Sequence, residues 1–437
     1  MTVQSPERPR PQESDIDSGV IKDARNRQQR HRVAGVAAAS LMAIAAGLIV
    51  GFSGGGSGPG IGNRGHRQAP ASVGGNPGSS RSGGTFVATA PRGISQSGLL
   101  APGVGWVATQ NGLSMTRDGG QTWIRVHVPG LGSDATAGIA EDTSPARNQA
   151  VLVVNATHGS CAWPGHSGLA TPIHAVTVSA DAGRTWRTHT LSNCLDPYSL
   201  SFANARVGFM AGWLGAGPGS RKALYTTTDG GRRWRREGML PFPGSITFAT
   251  ARLGLGMAFW SDATTGVAGT PLHIALYRST DGGRSWERQG ICGSNPRQVV
   301  SVICQTPVAE GPKSFYVPAV VTDNLTKRSR PIVYATTNGG RTWITRTLPA
   351  MPSRLQRELY GRNYLGVPFS APDARHLFVL VGSNLYTSAD GGRQWLRTRA
   401  PFGTLDFVSA DYGWDMTGLH LYHTSNGGRT WRRFKQR

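Results

Sequence analysis

The chain has 437 residues, of which 60 are glycine and only 16% are charged. This composition is typical of many short strands joined by turns and argues against a protein built from long helices. The formal net charge of +22 attracts polyanions such as nucleic acid, anionic lipid, anionic cell-wall polymers or acidic protein surfaces, but it says nothing about the fold.

The N-terminal region predicts a single membrane crossing. Residues 1–32 form a basic tail, and residues 33–52 read VAGVAAASLMAIAAGLIVGF, twenty residues without a charge. A segment of about 20 apolar residues spans a bilayer, and basic residues flank the cytoplasmic end of such a span. We therefore expect a transmembrane helix with a cytoplasmic N-terminus and an extracytoplasmic remainder. The alternative is a signal peptide that is cleaved to give a secreted protein.

A flexible linker follows the predicted span. Residues 53–84 consist mainly of Gly, Ser, Pro and Asn and cannot bury a core. Residues 1–52 hold 7 Lys/Arg and 5 Asp/Glu, so the rest of the chain has 46 − 7 = 39 against 24 − 5 = 19, a net charge of +20. Because the basic charge lies in the exported part, we expect a protein or an anionic polymer outside the cytoplasm as partner, and no nucleic acid.

An eight-residue motif occurs seven times after the linker. The copies are TRDGGQTW (116–123), SADAGRTW (179–186), TTDGGRRW (227–234), STDGGRSW (279–286), TTNGGRTW (336–343), SADGGRQW (388–395) and TSNGGRTW (424–431). A Gly always lies two residues after the Asp or Asn, and a Trp always lies five residues after it. The Asp or Asn positions are Asp118, Asp181, Asp229, Asp281, Asn338, Asp390 and Asn426.

The chemistry of this motif predicts a structural hairpin turn. Asp or Asn accepts hydrogen bonds from backbone N–H groups about two residues further on, and Gly adopts a positive φ. A metal ligand or a catalytic acid would lose its charge in the two copies that carry Asn, whereas a turn former would lose nothing. The Trp side chain is suited to packing between adjacent sheets.

These motifs resemble the Asp-box (BNR) repeat of sialidase-like β-propellers. Blades that end in LY-x-T-x-D-G-G-x-T-W also resemble photosystem II assembly-factor propellers, a binding branch of the superfamily. The resemblance implies an all-β fold for residues 85–437, a seven-bladed β-propeller of four-stranded blades, with each box joining the third and fourth strands. The box turns then lie on one face, and the longer loops lie on the opposite face.

Four cysteines in an exported region favour two disulfides. Three pairings are possible, and we prefer Cys161–Cys194 with Cys292–Cys304 because each pair then joins neighbouring loops on one face. The histidines near Cys161 match no common zinc spacing, so neither a metal nor a cofactor is predicted. They are His158, His166 and His174.

The candidate ligand site lies between the fifth and sixth blades, where residues 354–364 read RLQRELYGRNY. Arg and Tyr are enriched where binding energy concentrates, and Arg can grip carboxylate or phosphate with two hydrogen bonds. The alternative is a solvated surface loop. The candidate residues are Arg354, Arg357, Tyr360, Arg362 and Tyr364, with Trp213 and Trp260 either extending this surface or packing beneath it.

An enzyme is the alternative to a binding module. The resemblance to sialidases implies an Arg-Ile-Pro motif that this chain lacks, and the box arginines would lie on the wrong face for a sialidase arginine triad. A xyloglucanase-type glycoside hydrolase needs two carboxylates. Asp196 and Asp406 are one conceivable pair, although their spacing does not distinguish them from other acids. We therefore prefer a membrane-tethered binding or scaffold module, with a sialidase- or xyloglucanase-type glycoside hydrolase as the alternative.

Overall fold

The computed structural model describes residues 86–436 with internal gaps. The gaps are residues 88, 110–111, 129–137, 141–151, 163–169, 192–194, 215–220, 262–271, 294–299, 362–366 and 419. The predicted tail, membrane span and linker (1–32, 33–52 and 53–84) lie outside the described residues. Within the described part of the chain, no helix is long and apolar enough to cross a membrane.

The described strands form seven antiparallel sheets that follow one another along the chain. The side chains of β1, β6 and β7 lie outside the described residues. The first sheet contains β1 Phe86–Val87, β2 Ile94–Ala101, β3 Val104–Thr109, β4 Gly112–Thr116 and β5 Trp123–Val126; the second contains β6 Gly138–Ala140, β7 Leu152–Ala162, β8 Ala170–Ser179 and β9 Arg187–Thr190; and the third contains β10 Leu195–Phe202, β11 Gly208–Leu214, β12 Arg221–Thr227 and β13 Arg235–Met239. The fourth sheet contains β14 Gly244–Phe248, β15 Gly254–Ser261, β16 Leu272–Ser279 and β17 Glu287–Gln289, and the fifth contains β18 Val300–Cys304, β19 Val308–Ala309, β20 Phe315–Asp323, β21 Arg328–Thr336 and β22 Ile344–Thr347. The sixth sheet contains β23 Phe369–Ser370, β24 Leu377–Val381, β25 Asn384–Ser388 and β26 Leu396–Arg399, and the seventh contains β27 Thr404–Phe407, β28 Gly413–Thr417, β29 His420–Thr424 and β30 Arg432–Arg433.

An apolar cluster lies between each sheet and the next, and a further cluster lies between the last sheet and the first. The first strands of neighbouring sheets contact each other, as β10 contacts β14 and β23 contacts β27. The sheets are therefore arranged around a common centre, with β2, β6, β10, β14, β18, β23 and β27 inside. The last strand of each sheet is outermost, except in the first sheet, where β1 pairs with β5 and lies outside it. The predicted all-β β-propeller is confirmed.

The first and last sheets meet at a seam that joins distant parts of the chain. Trp123 and Trp414 pack with ring centroids 5.9 Å apart, inside a cluster that also contains Phe434. The backbone N–H of Leu99 donates a 2.6 Å hydrogen bond to Asp406 Oδ2. These contacts bury apolar surface that the two terminal sheets would otherwise expose.

A buried hydroxyl organises each repeated turn. In the fourth sheet, Ser279 Oγ accepts the N–H of Gly283 at 2.8 Å and donates to Asp281 Oδ1 at 2.8 Å. Asp281 Oδ1 also accepts the N–H of Ser285 at 3.0 Å. Partial burial raises the pKa of Asp281, but hydrogen bonds from Ser285 and Ser279 outweigh this effect and lower the pKa to about 2. The seven buried hydroxyls belong to Thr116, Ser179, Thr227, Ser279, Thr336, Ser388 and Thr424.

These contacts correct the expected hydrogen-bond pattern of the turn. The carboxylate accepts from backbone groups three or four residues further on, as Asp181 does from Arg184 and Thr185, and not from the residue two further on. That residue donates to the buried hydroxyl instead. The role of this hydroxyl was not predicted, although Ser or Thr begins every copy of the motif.

The two asparagines preserve the turn by reversing one hydrogen bond. Asn338 Oδ1 accepts from Thr336 Oγ1 at 2.9 Å and from the N–H of Thr342 at 3.0 Å, as the carboxylate does elsewhere. Its Nδ2 donates to Thr342 Oγ1 at 2.8 Å, whereas Asp281 Oδ2 accepts from the hydroxyl of Ser285. An amide therefore satisfies the same groups as a carboxylate.

The second Gly of each turn allows close contact with the preceding sheet. Gly283 has a φ of +87°, and a Cβ there would lie 2.2 Å from Leu224 in the third sheet. Trp286 packs edge-on to Phe242 and Phe248 at 5.2 Å and 5.9 Å, in a cluster that includes Leu224. The Trp of each repeat belongs to the cluster shared with the preceding sheet, as expected from the sequence.

The repeated turns share one face of the molecule with the turns between first and second strands. The N–H of Gly230 donates to the carbonyl of Arg206 at 2.8 Å, and that of Gly427 donates to the carbonyl of Asp411 at 2.9 Å. We call this the turn face. The loops between second and third strands, and the connections between sheets, lie at the other strand ends, which we call the loop face.

The Cys292–Cys304 disulfide is present, with Cα atoms 5.7 Å apart, and this part of the cysteine prediction is confirmed. Cys292 lies in the connection after the fourth sheet, next to a bridge between Gly293 and Val302. The predicted Cys161–Cys194 pair lies outside the described residues, since the structure describes neither side chain.

We predict that Trp286→Ala destabilises the protein by about 3–5 kcal/mol, because it removes a large ring from a junction between sheets. Asp281→Asn should have a small effect, because Asn338 already makes the same turn. Chemical denaturation of both variants measures these effects. A larger loss of stability from Asp281→Asn than from Trp286→Ala would contradict this account of the turn.

Candidate functional site

A helix occupies the connection between the fifth and sixth sheets on the loop face. This helix, α1, spans Ser353–Gly361, and no helix was predicted there from the sequence. Leu355 and Leu359, four residues apart, pack against the apolar cluster between the two sheets. The side chain of Gln356 donates to the carbonyl of Met351 at 2.8 Å and holds the start of the helix.

The structure tests only part of the candidate ligand site. Arg354 and Arg357 are three residues apart on α1, and both are exposed. Residues three apart lie on the same side of a helix, so both guanidinium groups lie on the side away from Leu359. The side chain of Tyr360 lies outside the described residues, as do Arg362 and Tyr364.

Trp213 is half-buried near the loop-face end of β11. Its ring centroid lies 5.6 Å from that of Tyr198, and Lys222 Nζ lies 5.7 Å from the ring centroid of Trp213. Burial raises the pKa of Tyr198 well above its usual value, so that it remains neutral. This places Trp213 in a packed aromatic pair with a cation over one ring. The side chain of Trp260 lies outside the described residues.

Asp406 is a structural acid of the seam. It is 8% exposed and accepts the Leu99 amide from the first sheet. The Asp196 side chain lies outside the described residues. Because Asp406 is directed into the junction with the first sheet, it does not face an open cleft. This weakens the case for a glycosidase pair built on Asp196 and Asp406.

Asp415 is a second buried acid, which was not predicted from the sequence. It is 0% exposed, and among the described residues neither carboxyl oxygen has a hydrogen-bond partner. Asp415 pairs with Leu405 on the adjacent strand β27, and paired residues lie on the same side of a sheet. Since Leu405 belongs to the apolar cluster between the sixth and seventh sheets, Asp415 is directed away from the seam. Burial raises the pKa of Asp415 to about 8.

Comparison of the sheets shows that Asp415 replaces an apolar or small residue. Asp415, on the second strand of its sheet, pairs with Tyr422, which lies two residues before the turn hydroxyl of Thr424. The strand register gives an equivalent second-strand position in every other sheet. The other occupants of this position are Val107, Val154, Met210, Gly256, Val317 and Val379.

The surroundings of this position also differ between sheets. In the fourth sheet the ring of Phe242, 1% exposed, lies against Gly256. In the seventh sheet Phe402, which likewise precedes the first strand, is 43% exposed, and Asp415 lies against Gly403. A repeat position that breaks the local rule in this way is expected at functional or strained sites.

We predict that Asp415→Val raises the melting temperature, and that the gain grows with pH. In the unfolded chain this carboxyl ionises near pH 4, but in the folded chain only near pH 8. Between these values the folded state holds more protons, so its stability falls as pH rises, by at most roughly 1.4 kcal/mol per pH unit. The variant should lose this slope.

Thermal melting of both proteins from pH 5 to pH 9 measures the difference. Val379→Asp is the matched control, because it places the same acid at the equivalent position of the sixth sheet and should introduce a similar slope. Parallel pH profiles of the wild type and Asp415→Val would rule out a titrating core carboxyl.

The comparisons with known proteins show the fold alone. No family model and no curated protein matches the sequence. Among solved structures, the chain is similar to the GH74 xyloglucanase from Xanthomonas campestris, with a TM-score of 0.44 and 16% identity over 81% of this chain and 55% of that chain. It thus spans about half the length of that enzyme.

Two further similar structures have chains of more comparable length. YCF48 from Cyanidioschyzon merolae has a TM-score of 0.38 and 15% identity over 82% of this chain and 99% of that chain. A PL25 ulvan lyase has a TM-score of 0.40 and 11% identity over 80% of this chain and 96% of that chain. A likeness at this level of identity does not assign an activity.

Proposed function

We propose that this chain is a membrane-tethered, extracytoplasmic binding or scaffold module that holds a protein or an anionic polymer on its loop face. Each of the seven sheets is one blade of the ring, and the repeated turn is an Asp-box. Residues 33–52 are the tether, and residues 53–84 give the ring a reach of roughly 30 Å from the membrane. Neither a cofactor nor nucleic acid is part of this function.

The observation that carries the proposal is the contrast between acids and arginines. Asp406 is used in the seam and Asp415 is buried between sheets. On the loop face, Asp323 accepts the N–H groups of Leu325 and Thr326 within its own hairpin. Arg357 is exposed on α1, as is Arg354, which takes part in a further interaction. Among the described residues, this face therefore presents cations for binding and offers no open carboxylate pair for glycoside hydrolysis.

The binding proposal is tested by photo-crosslinking in cells that produce the full chain. A crosslinking residue at Arg357 should give a discrete adduct, because the proposed ligand surface includes α1. The same residue at Arg206, which is exposed on the turn face, is the matched control. Identical adduct patterns at the two positions would contradict a ligand surface on α1.

The glycoside hydrolase alternative is supported by the xyloglucanase and the other carbohydrate-active enzymes among the similar structures. It predicts reducing-sugar release when the purified full chain is incubated with xyloglucan or a sialoside. Hydrolysis that is lost in a variant lacking Asp196 would establish this alternative and overturn the binding proposal.

The predicted topology has its own test. A reporter enzyme fused after Arg437 should be active only outside the cytoplasm, and the protein should remain in membranes after a carbonate wash. The disulfide between Cys292 and Cys304 is compatible with an oxidising compartment. A soluble product that begins near Ser53 would show that residues 33–52 are a cleaved signal peptide.

A further inference from the structure

Basic residues are unevenly distributed across the sheets: they are frequent on the outer strands and absent from the inner ones. We call the strands that follow the repeated turns the outer strands, although in the first sheet the short β1 lies outside β5. Each outer strand contains at least one arginine; these strands are β5, β9, β13, β17, β22, β26 and β30. Together they hold ten arginines and two glutamates, a net charge of 10 − 2 = +8. The first strands β2, β6, β10, β14, β18, β19, β23 and β27 contain no Lys or Arg. A belt of arginine therefore surrounds an inner wall that lacks basic side chains.

The belt is solvent-exposed over most of its length. Arg346 is half-buried, and the other nine arginines are exposed. Both glutamates are near arginines, since Glu237 forms ion pairs with Arg235 and Arg284, and Glu287 lies 3.9 Å from Arg278. The belt arginines are Arg125, Arg187, Arg235, Arg236, Arg288, Arg346, Arg397, Arg399, Arg432 and Arg433.

The main alternative explanation is edge protection. Charged side chains on an edge strand prevent pairing with another sheet, and lysine serves this purpose especially well. The outer strands contain no lysine. Arginine differs from lysine in presenting a planar fork that binds phosphate or carboxylate with two hydrogen bonds. Because the whole chain has only 5 Lys among its 46 basic residues, the absence of lysine does not by itself distinguish the two roles. The exposed guanidinium groups can nevertheless bind anions in addition to protecting the edges.

The distribution of the arginines indicates the shape of the ligand. They lie near the perimeter of the ring, on the outermost strand of six sheets and, in the first sheet, on β5, which is covered on its outer side by β1. A planar bilayer can touch only one side of a perimeter, whereas a flexible linear polymer can follow it from blade to blade. Exposed Ile344 and Leu396 on two neighbouring outer strands are the place where a bilayer would make its contact.

We infer that the arginine belt binds a linear polyanion along the outer edge of the propeller. The belt is a second surface, separate from α1 and the loop face, and reaches from one blade to the next, so that a polymer is held by many weak contacts. This inference therefore goes beyond the proposed function, which places its ligand on the loop face.

The experiment measures binding of long-chain linear polyphosphate to the purified full chain. The belt variant changes Arg397, Arg399, Arg432 and Arg433 to Gln on the sixth and seventh sheets. The matched control changes Arg206, Arg252, Arg328 and Arg330 to Gln; these four are exposed and lie outside the outer strands. Both variants lose four positive charges, and melting temperatures verify that both remain folded.

We expect the belt variant to bind at least about tenfold more weakly at 0.15 M salt, with a dependence of log K on log salt that is less steep by about 3. The control should bind nearly as well as the wild type. Equal weakening in both variants would show diffuse attraction and overturn the inference.

A bilayer occupant is tested with vesicles of equal parts phosphatidylglycerol and phosphatidylcholine. Belt-dependent binding to vesicles without belt-dependent binding to polyphosphate would overturn the linear-polymer inference. Neither result depends on the crosslinking at α1 or on sugar release, so failure of the belt and failure of the proposed function remain distinguishable.

If the Gln variant aggregates, the same four positions are changed to Lys, which keeps charge and edge protection. A loss of affinity for polyphosphate of about threefold or more then supports arginine-specific contact. Affinity equal to that of the wild type would overturn the inference.

Discussion

The fold depends on one buried hydroxyl in each sheet. A Ser or Thr at the end of the third strand accepts the N–H of a glycine and donates to Asp or Asn, which in turn fixes the following residues. The turn places a glycine against the preceding sheet and a tryptophan into the shared cluster. Buried polar groups are costly when unpaired, so this hydroxyl and its partners must be present together. Local hydrogen bonding thereby determines how neighbouring sheets pack.

The inner strands add a second set of contacts between sheets. Ser201 Oγ accepts the N–H of Phe248, and Ser370 Oγ accepts the N–H of Phe407, each from the next sheet along the chain. Asp406 plays the same part at the seam, where it accepts the N–H of Leu99. A side chain on one first strand thus binds the backbone of the next. This explains why a carboxylate on an inner strand is a structural group.

Internal repetition made the fold predictable from the sequence, because seven copies of one turn reveal the role of each position without an alignment. The paired Cys292 and Cys304 were predictable for a similar reason, since they lie in one connection. Helix α1 was missed because, among its described side chains, the apolar contacts are those of Leu355 and Leu359, too few to give a clear period in a basic segment.

The acids and arginines were harder to interpret than the turns. Asp415 was missed because its exceptional character appears only when strand register aligns it with Val107 and Val379. The arginine belt was missed because its members are about fifty residues apart in the chain, and only the sheets bring them onto one edge. In the sequence those arginines contribute only to the net positive charge, whereas in the structure they form a basic surface.

The seam has a consequence for how the ring is made. The hydrogen bond between Leu99 and Asp406 joins residues 307 positions apart, so the first sheet must wait for the last before the junction can form. Contacts of such separation carry a large loop-closure cost and form late. Until the junction forms, Trp123 and Trp414 do not pack against each other, and two apolar sheet faces are exposed to other chains. A protein closed in this way is most vulnerable to aggregation before its last sheet has been synthesised and has packed against the first. A chaperone that shields apolar surface would be needed most at that stage.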